Sequence, residues 1–125
     1  GSFTGDNGAA FWIAAGTGVA PFCSMFRSGM GINKTLVQGA AKTEGLFFRE
    51  EFEIFDNMNY QPCVSRENHP GVFHGRVTHW LQKQTDLPVN LPYYLSGTAE
   101  MVVEARDILI SRGIPFQNIR SEIYF

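Results

Sequence analysis

The chain has 125 residues, of which 44% are hydrophobic and 18% are charged, and its formal net charge is −2. Such a length is typical of one domain with a real core, and such a charge gives no general attraction to nucleic acid or to an anionic membrane. Two cysteines are too few for a disulfide scaffold, and no apolar run approaches the roughly 20 residues that span a bilayer. We therefore expect one cytoplasmic domain over residues 1–125, with neither a membrane nor nucleic acid as its partner.

The first half of the chain alternates between strand and helix patterns. Residues 11–15 are a continuous apolar run, which is typical of a strand buried on both faces of a parallel sheet. A helix is predicted from Pro21, which suits a first helical turn, and it ends at Gly29. A second strand is predicted at 35–39, and apolar residues at helical spacing predict a helix over 46–58.

The second half continues this alternation. Its predicted elements are a weak strand at 61–65, a polar loop at 66–75, a short helix that contains Val77 and Trp80, a strand at 92–96, a helix capped by Thr98, and a last strand at 119–125.

Strands and helices therefore alternate about five times along the chain. This pattern predicts an α/β fold, Rossmann-like and doubly wound, with about five parallel strands and helices on both faces of the sheet. In such sheets ligands bind outside the carboxyl ends of the strands. The segments with functional patterns all follow a predicted strand.

A glycine-rich turn, residues 16–21 (GTGVAP), joins the first strand to the first helix. Glycines let the backbone approach a ligand closely, and the helix N-terminus behind them offers free N–H groups and a positive dipole end. Together these features suit a pyrophosphate. The alternative is a tight turn without a ligand. The turn is neither a GxGxxG fingerprint nor a phosphate-binding P-loop, because no Lys-Ser or Lys-Thr pair follows it.

Several segments resemble those of one known family, in the same order and spacing. GTGVAPF at 16–22 resembles the GTGxAPF signature of the ferredoxin–NADP reductase superfamily. The other matching segments are LFFREEFE at 46–53, VSRE at 64–67 followed by GRV at 75–77, YLSG at 94–97 followed by Met101, and EIYF at 122–125.

This resemblance implies the NAD(P)-binding half of a two-domain flavoprotein. Members of the superfamily carry an N-terminal barrel that binds FAD, and they pass a hydride between NADP or NAD and the flavin. Electrons are then exchanged with a ferredoxin, a flavodoxin or a similar redox carrier. This chain matches only the nucleotide-binding half, so we expect it to need its own FAD-binding domain for turnover.

The resemblance also implies which residues meet the dinucleotide. Ser65 and Arg66 resemble the pair that binds the 2′-phosphate of NADP, and Arg76 is a candidate second cation. Guanidinium forks and a hydroxyl suit a dianion, although these arginines also fit solvated loop charges. Glu67 could instead accept ribose hydroxyls, which would favour NAD. The remaining expected cofactor-binding residues are Gly16, Thr17, Gly18, Ala20, Pro21, Gly39, Gly97, Thr98, Met101 and Phe125.

Three residues are implied beside the reacting rings. Ser96 stands where most of the superfamily has a cysteine beside the nicotinamide, and it could equally be a small residue that ends a strand. Glu122 would lie near the flavin, where it could relay protons or tune its potential. Tyr124 matches the aromatic that covers the flavin ring, and Phe125 is one residue more. These aromatics also fit an edge strand that covers the core.

Three other functions are alternatives to this interpretation. Within the class, the rival is an NADH-using reductase component of an oxygenase. Outside it, the rivals are a non-catalytic dinucleotide-binding electron-transfer subunit and an α/β interaction domain without a ligand. We expect no metal, because Cys63, His69, His74 and His79 match no standard ligand spacing.

Overall fold

The computed structural model describes residues 3–124, and their strands form a single parallel sheet. The spatial order is β4-β3-β2-β1-β5-β6. This confirms the predicted Rossmann-like class, with six strands where the sequence predicted about five. The strands are β1 (Ala10–Ala15), β2 (Lys34–Ala40), β3 (Asn59–Val64), β4 (Phe73–His74), β5 (Tyr93–Gly97) and β6 (Ile119–Ile123).

Helices cover both faces of this sheet, as the alternating pattern predicted. One core packs Ile13 and Leu95 of the sheet against the last two helices of the chain, and the other packs Trp12 and Leu36 against the first two. No helix among the described residues is long and apolar enough to cross a membrane. The helices are α1 (Ala20–Met25), α2 (Arg49–Glu53), α3 (Val77–Lys83) and α4 (Ala99–Ser111).

The order of the strands creates a switch point between β1 and β5. From β1 the chain builds the sheet outward through β2, β3 and β4, and it then returns to place β5 on the other side of β1. The connections that leave β1 and β5 therefore diverge to opposite sides. A doubly wound sheet has its ligand crevice at the carboxyl ends of two such strands.

The helix predicted over 46–58 is wrong in its length, because α2 contains only Arg49–Glu53. A short 3₁₀ turn, Thr43–Gly45, precedes it, and Phe48 has a left-handed φ of 64° that prevents a continuous helix. The Phe47 carbonyl accepts a hydrogen bond of 2.8 Å from Nε2 of Gln38, which is buried on β2. This contact with the sheet outweighs the helical propensity of the preceding residues.

The polar loop predicted over 66–75 contains β4, which the sequence did not indicate. β4 pairs only with Cys63 and Val64 at the end of β3. Because this pairing starts after Pro62, the proline lies inside β3 at a position with no β4 partner, where its missing N–H costs no ladder hydrogen bond. The sequence had limited Pro62 to the entry of a strand.

Candidate functional site

The glycine turn after β1 lies directly against the end of β5. Residues 16–19 form a 3₁₀ turn, and α1 follows with Pro21 in its first turn. Gly16 has a positive φ of 58°, which glycine adopts without strain. A Cβ at Gly18 would lie 2.3 Å from the carbonyl oxygen of Ser96, so only glycine allows this approach. The turn therefore lies at the switch point.

A cleft of about 320 Å³ opens at the carboxyl ends of β1, β2 and β3, on the side of the sheet that α3 and α4 cover. It brings together seven of the expected cofactor-binding residues from five separate parts of the sequence. These are Gly16, Gly39, Ser65, Arg66, Arg76, Thr98 and Met101.

Local structure sets the positions of Thr98 and Met101 at the start of α4. The Thr98 hydroxyl accepts a hydrogen bond of 3.3 Å from the Met101 N–H, so Thr98 caps α4 as the sequence predicted. A Cβ at Gly97 would lie 2.8 Å from the Met101 sulfur. The glycine therefore leaves the space in which the methionine side chain packs beside the cleft.

The remaining expected cofactor-binding residues do not line this cleft. Thr17 is exposed within the glycine turn, and Gly18 is buried against β5. Ala20 of α1 lines a separate pocket with Arg27, which follows that helix. Pro21 is half-buried, Gly97 is buried, and Phe125 lies outside the described residues. Their roles in binding stay predictions.

A second pocket adjoins the cleft at the ends of β3 and β4. It shares Ser65, Arg66 and Arg76 with the cleft and adds His74, Gly75 and His79. Nδ1 of His79 accepts a hydrogen bond of 3.3 Å from the Arg76 N–H at the start of α3, so a neutral His79 carries its proton on Nε2. This pocket therefore gathers two guanidinium groups, a hydroxyl and two imidazoles, and none of its lining residues carries a carboxylate.

Glu67, the candidate acceptor for ribose hydroxyls, is engaged elsewhere. Its Oε1 accepts a hydrogen bond of 2.9 Å from the Thr43 N–H and lies 3.1 Å from Nε2 of His69. The bond from Thr43, followed by the one from His69, holds the pKa of Glu67 below its usual range. The carboxylate therefore joins two loops and lines neither pocket.

The three residues expected beside the reacting rings lie on the β5 side of the switch point. Ser96 is 2% exposed, and Glu122 is its register partner on β6, so their side chains leave the same face of the sheet. Tyr124 bridges the switch point, because its hydroxyl donates to the Ala15 carbonyl at 3.0 Å and its N–H donates to the Gly97 carbonyl at 3.0 Å. The same hydroxyl lies beside the glycine turn, 3.1 Å from where a Cβ of Gly16 would be.

Sequence reasoning missed seven residues that line the cleft. Glu104 had a readable signal, because it lies three residues after Met101 on α4 and four after Glu100, and helical spacing makes such residues neighbours. The others end or follow a strand or begin α3 or α4, where only the pairing of the strands shows what is close. The seven are Ala15, Ala40, Ala41, Val77, Thr78, Glu100 and Glu104.

Comparisons with known proteins agree with this geometry. The family model described as the oxidoreductase NAD-binding domain matches residues 12–107. No curated protein is similar enough in sequence to count as a relative.

Solved structures with the same fold include three redox proteins. The flavohem-like FAD/NAD-binding domain of nitric oxide dioxygenase from Vibrio cholerae superposes with a TM-score of 0.80 at 16% identity, over 98% of this chain and 53% of that chain. A cytochrome P450 reductase from Amycolatopsis gives 0.78 at 23% identity, over 94% and 38%. The ferredoxin reductase in carbazole 1,9a-dioxygenase gives 0.68 at 17% identity, over 94% and 38%. The chain thus spans between about a third and a half of these proteins.

Proposed function

Because this chain belongs to the family of oxidoreductase NAD-binding domains, we propose that it is the nucleotide-binding half of a flavin-dependent reductase that uses NADP. The partner half would be an FAD-binding domain in the same protein. The whole protein would transfer a hydride between NADP(H) and FAD and exchange electrons with a ferredoxin, a flavodoxin or a similar carrier.

One observation carries the choice of NADP. The cleft runs from Gly16 in the glycine turn to Ser65, Arg66 and Arg76, and the adjoining pocket adds two histidines around the same three residues. A pyrophosphate suits the glycine turn, and a terminal dianion suits two guanidinium groups with a hydroxyl. NAD has no anion at that end, so it would leave this cationic pocket without a counter-charge.

Residues at the switch point would position the reacting ring. Ser96 would pack beside the nicotinamide, and Tyr124 would leave its place beside the glycine turn when the ring enters. FAD, when bound, supplies an acceptor that takes two electrons as a hydride and releases them singly. Glu122, on the same face as Ser96, would hold or move a proton at its carboxylate. This chain's contribution is therefore orientation of the ring and exclusion of water.

Calorimetric titration of the chain with NADP and with NAD tests the proposal. We expect NADP to bind more tightly, and adenosine 2′,5′-bisphosphate to bind as well, because its contacts need no flavin. Arg66→Ala should weaken NADP binding by about tenfold to a hundredfold, the effect of losing charge-assisted hydrogen bonds, and should leave NAD almost unchanged.

The matched control is Arg106→Ala, because Arg106 lies on α4 outside the cleft and the adjoining pocket. This variant should bind NADP as the wild type does. Equal or tighter binding of NAD by the wild type would contradict the assignment of Ser65 and Arg66 to a phosphate.

The second candidate is an NADH-using reductase component of an oxygenase. It is favoured by the family itself, whose description names NAD, and by the similar ferredoxin reductase in carbazole 1,9a-dioxygenase. The bonds of Glu67 to Thr43 and His69 weigh against it, because they engage the acidic group that would accept the ribose hydroxyls. The same titration separates the two candidates.

A further inference from the structure

The walls of the cleft carry opposite charges. Arg66 and Arg76 lie at the ends of β3 and β4, whereas Glu100 and Glu104 lie on α4. In the proposed function the phosphates lie at the arginines and at the glycine turn, so a carboxylate on the opposite wall would face a part of the ligand that donates hydrogen bonds. The cleft thereby distinguishes the two sides of a bound nucleotide.

Glu104 is the more confined of these two carboxylates. It is half-buried, whereas Glu100 is exposed. Of the described residues, none forms a side-chain hydrogen bond or an ion pair with Glu104. Neither carboxylate oxygen of Glu104 is buried, so both are open to a donor on a ligand.

The surroundings of Glu104 suit the edge of a flat base. Met101 lies three residues earlier on α4, so the thioether and the carboxylate are neighbours on one helix face. Ala40, Ala41 and Val77 complete an apolar surface in the same cleft. A purine that packs on this surface, with its ribose toward Ser65 and Arg66, presents its exocyclic group to the α4 wall.

We propose that Glu104 selects adenine by accepting a hydrogen bond from its 6-amino group. This inference rests on the proposed function, since it assumes that the adenosine half of the dinucleotide lies in the cleft. Hypoxanthine has a carbonyl oxygen in place of the amino group, and a carboxylate repels that oxygen. Glu104 is therefore a specificity-determining residue for the base.

The test compares ADP with IDP, which differ only in the base, by calorimetric titration of the chain. The wild type should bind ADP about tenfold more tightly than IDP, as expected for one charge-assisted hydrogen bond. Glu104→Gln should reduce that ratio to about two or less, because an amide can rotate to serve either base. Asp107→Asn, which removes a charge from the exposed side of α4, should keep the wild-type ratio.

Two outcomes would overturn the proposal. The first is a wild type that binds ADP and IDP equally. The second is a Glu104→Gln chain that keeps the wild-type ratio, and if both nucleotides are then weakened equally, the carboxylate is assigned to the ribose. If NADP does not bind either, the proposed function fails as well, whereas a wild type without a base preference that still shows Arg66-dependent NADP binding rejects only the role of Glu104.

Discussion

At the scale of single residues, Gly18 and Gly97 at the switch point differ in the atom that a larger side chain would meet. A Cβ at Gly18 would lie 2.3 Å from a backbone oxygen, that of Ser96. A Cβ at Gly97 would lie 2.8 Å from the sulfur of Met101, which ends a flexible side chain. Backbone cannot move without disturbing β5, whereas a thioether can change its rotamer. The two positions therefore tolerate a methyl group to different degrees.

We expect Gly18→Ala to lower the free energy of unfolding by about 3 kcal/mol, and Gly97→Ala by about 1 kcal/mol or less. Urea denaturation of the two variants beside the wild type measures both values. Equal losses would mean that the turn after β1 moves away from β5 as easily as Met101 changes its conformation.

At the scale of elements, the segment before β1 is attached to the sheet by a buried lysine. Lys34, at the start of β2, is 2% exposed, and its ammonium donates to the carbonyls of Asp6 at 2.8 Å and Gly8 at 2.6 Å. The same ammonium lies 5.4 Å from the centre of the Trp12 ring. Burial lowers the pKa of Lys34, and the nearby negative charge of Asp6 opposes that shift. This segment is therefore part of the folded domain.

Lys34→Met retains the length of the side chain and removes the donor. We expect it to lower the free energy of unfolding by about 2 to 3 kcal/mol, because it removes two hydrogen bonds from a charged donor that attach this segment to the sheet. The control is Lys83→Met at the exposed end of α3, for which a change within about 0.5 kcal/mol is expected. Thermal or urea unfolding measures both, and a loss no larger than that of the control would contradict the role of Lys34.

At the scale of the whole molecule, the two cores enclose both cysteines. Cys63 is fully buried between the sheet and α3, and this burial raises the pKa of its thiol to about 12. Cys23 is buried on the other face of the sheet, and desolvation raises the pKa of its thiol as well. The thiolate is the form that alkylating reagents attack, and burial keeps both cysteines as thiols. Reaction of either cysteine therefore indicates that the fold has opened around it.

We expect Cys63 to resist alkylation by iodoacetamide at pH 8 in the folded chain and to react once urea unfolds it. Mass spectrometry of a Cys23→Ala variant isolates Cys63 in this measurement. The raised pKa also favours folding below the unfolded thiol's value of 9.0, and this contribution declines as pH rises from 9.0 toward about 12. Labelling of the folded chain at the rate of the unfolded chain would show that the core opens locally.

The sequence by itself determined the fold class and the location of the nucleotide motifs. Buried apolar runs and helical periodicity are local properties, so β1, β5 and α4 could be predicted within a residue or two. The glycine turn was also readable, because it is a short motif that directly follows a strand, and the Ser65–Arg66 pair was indicated by the resemblance to the reductase superfamily. Seven of the expected residues meet in one cleft for this reason.

Only the tertiary structure decided the features that depend on distant partners. β4 exists because Phe73 and His74 find the free edge of β3, and α2 is short because Gln38 binds the Phe47 carbonyl. The bond from Thr43 engages Glu67, and the packing of α4 beside the strand ends brings Glu104 into the cleft. Such contacts join residues that are far apart in the chain, and their free energy outweighs the local conformational propensities. A sequence shows only those local propensities, so it does not predict these contacts.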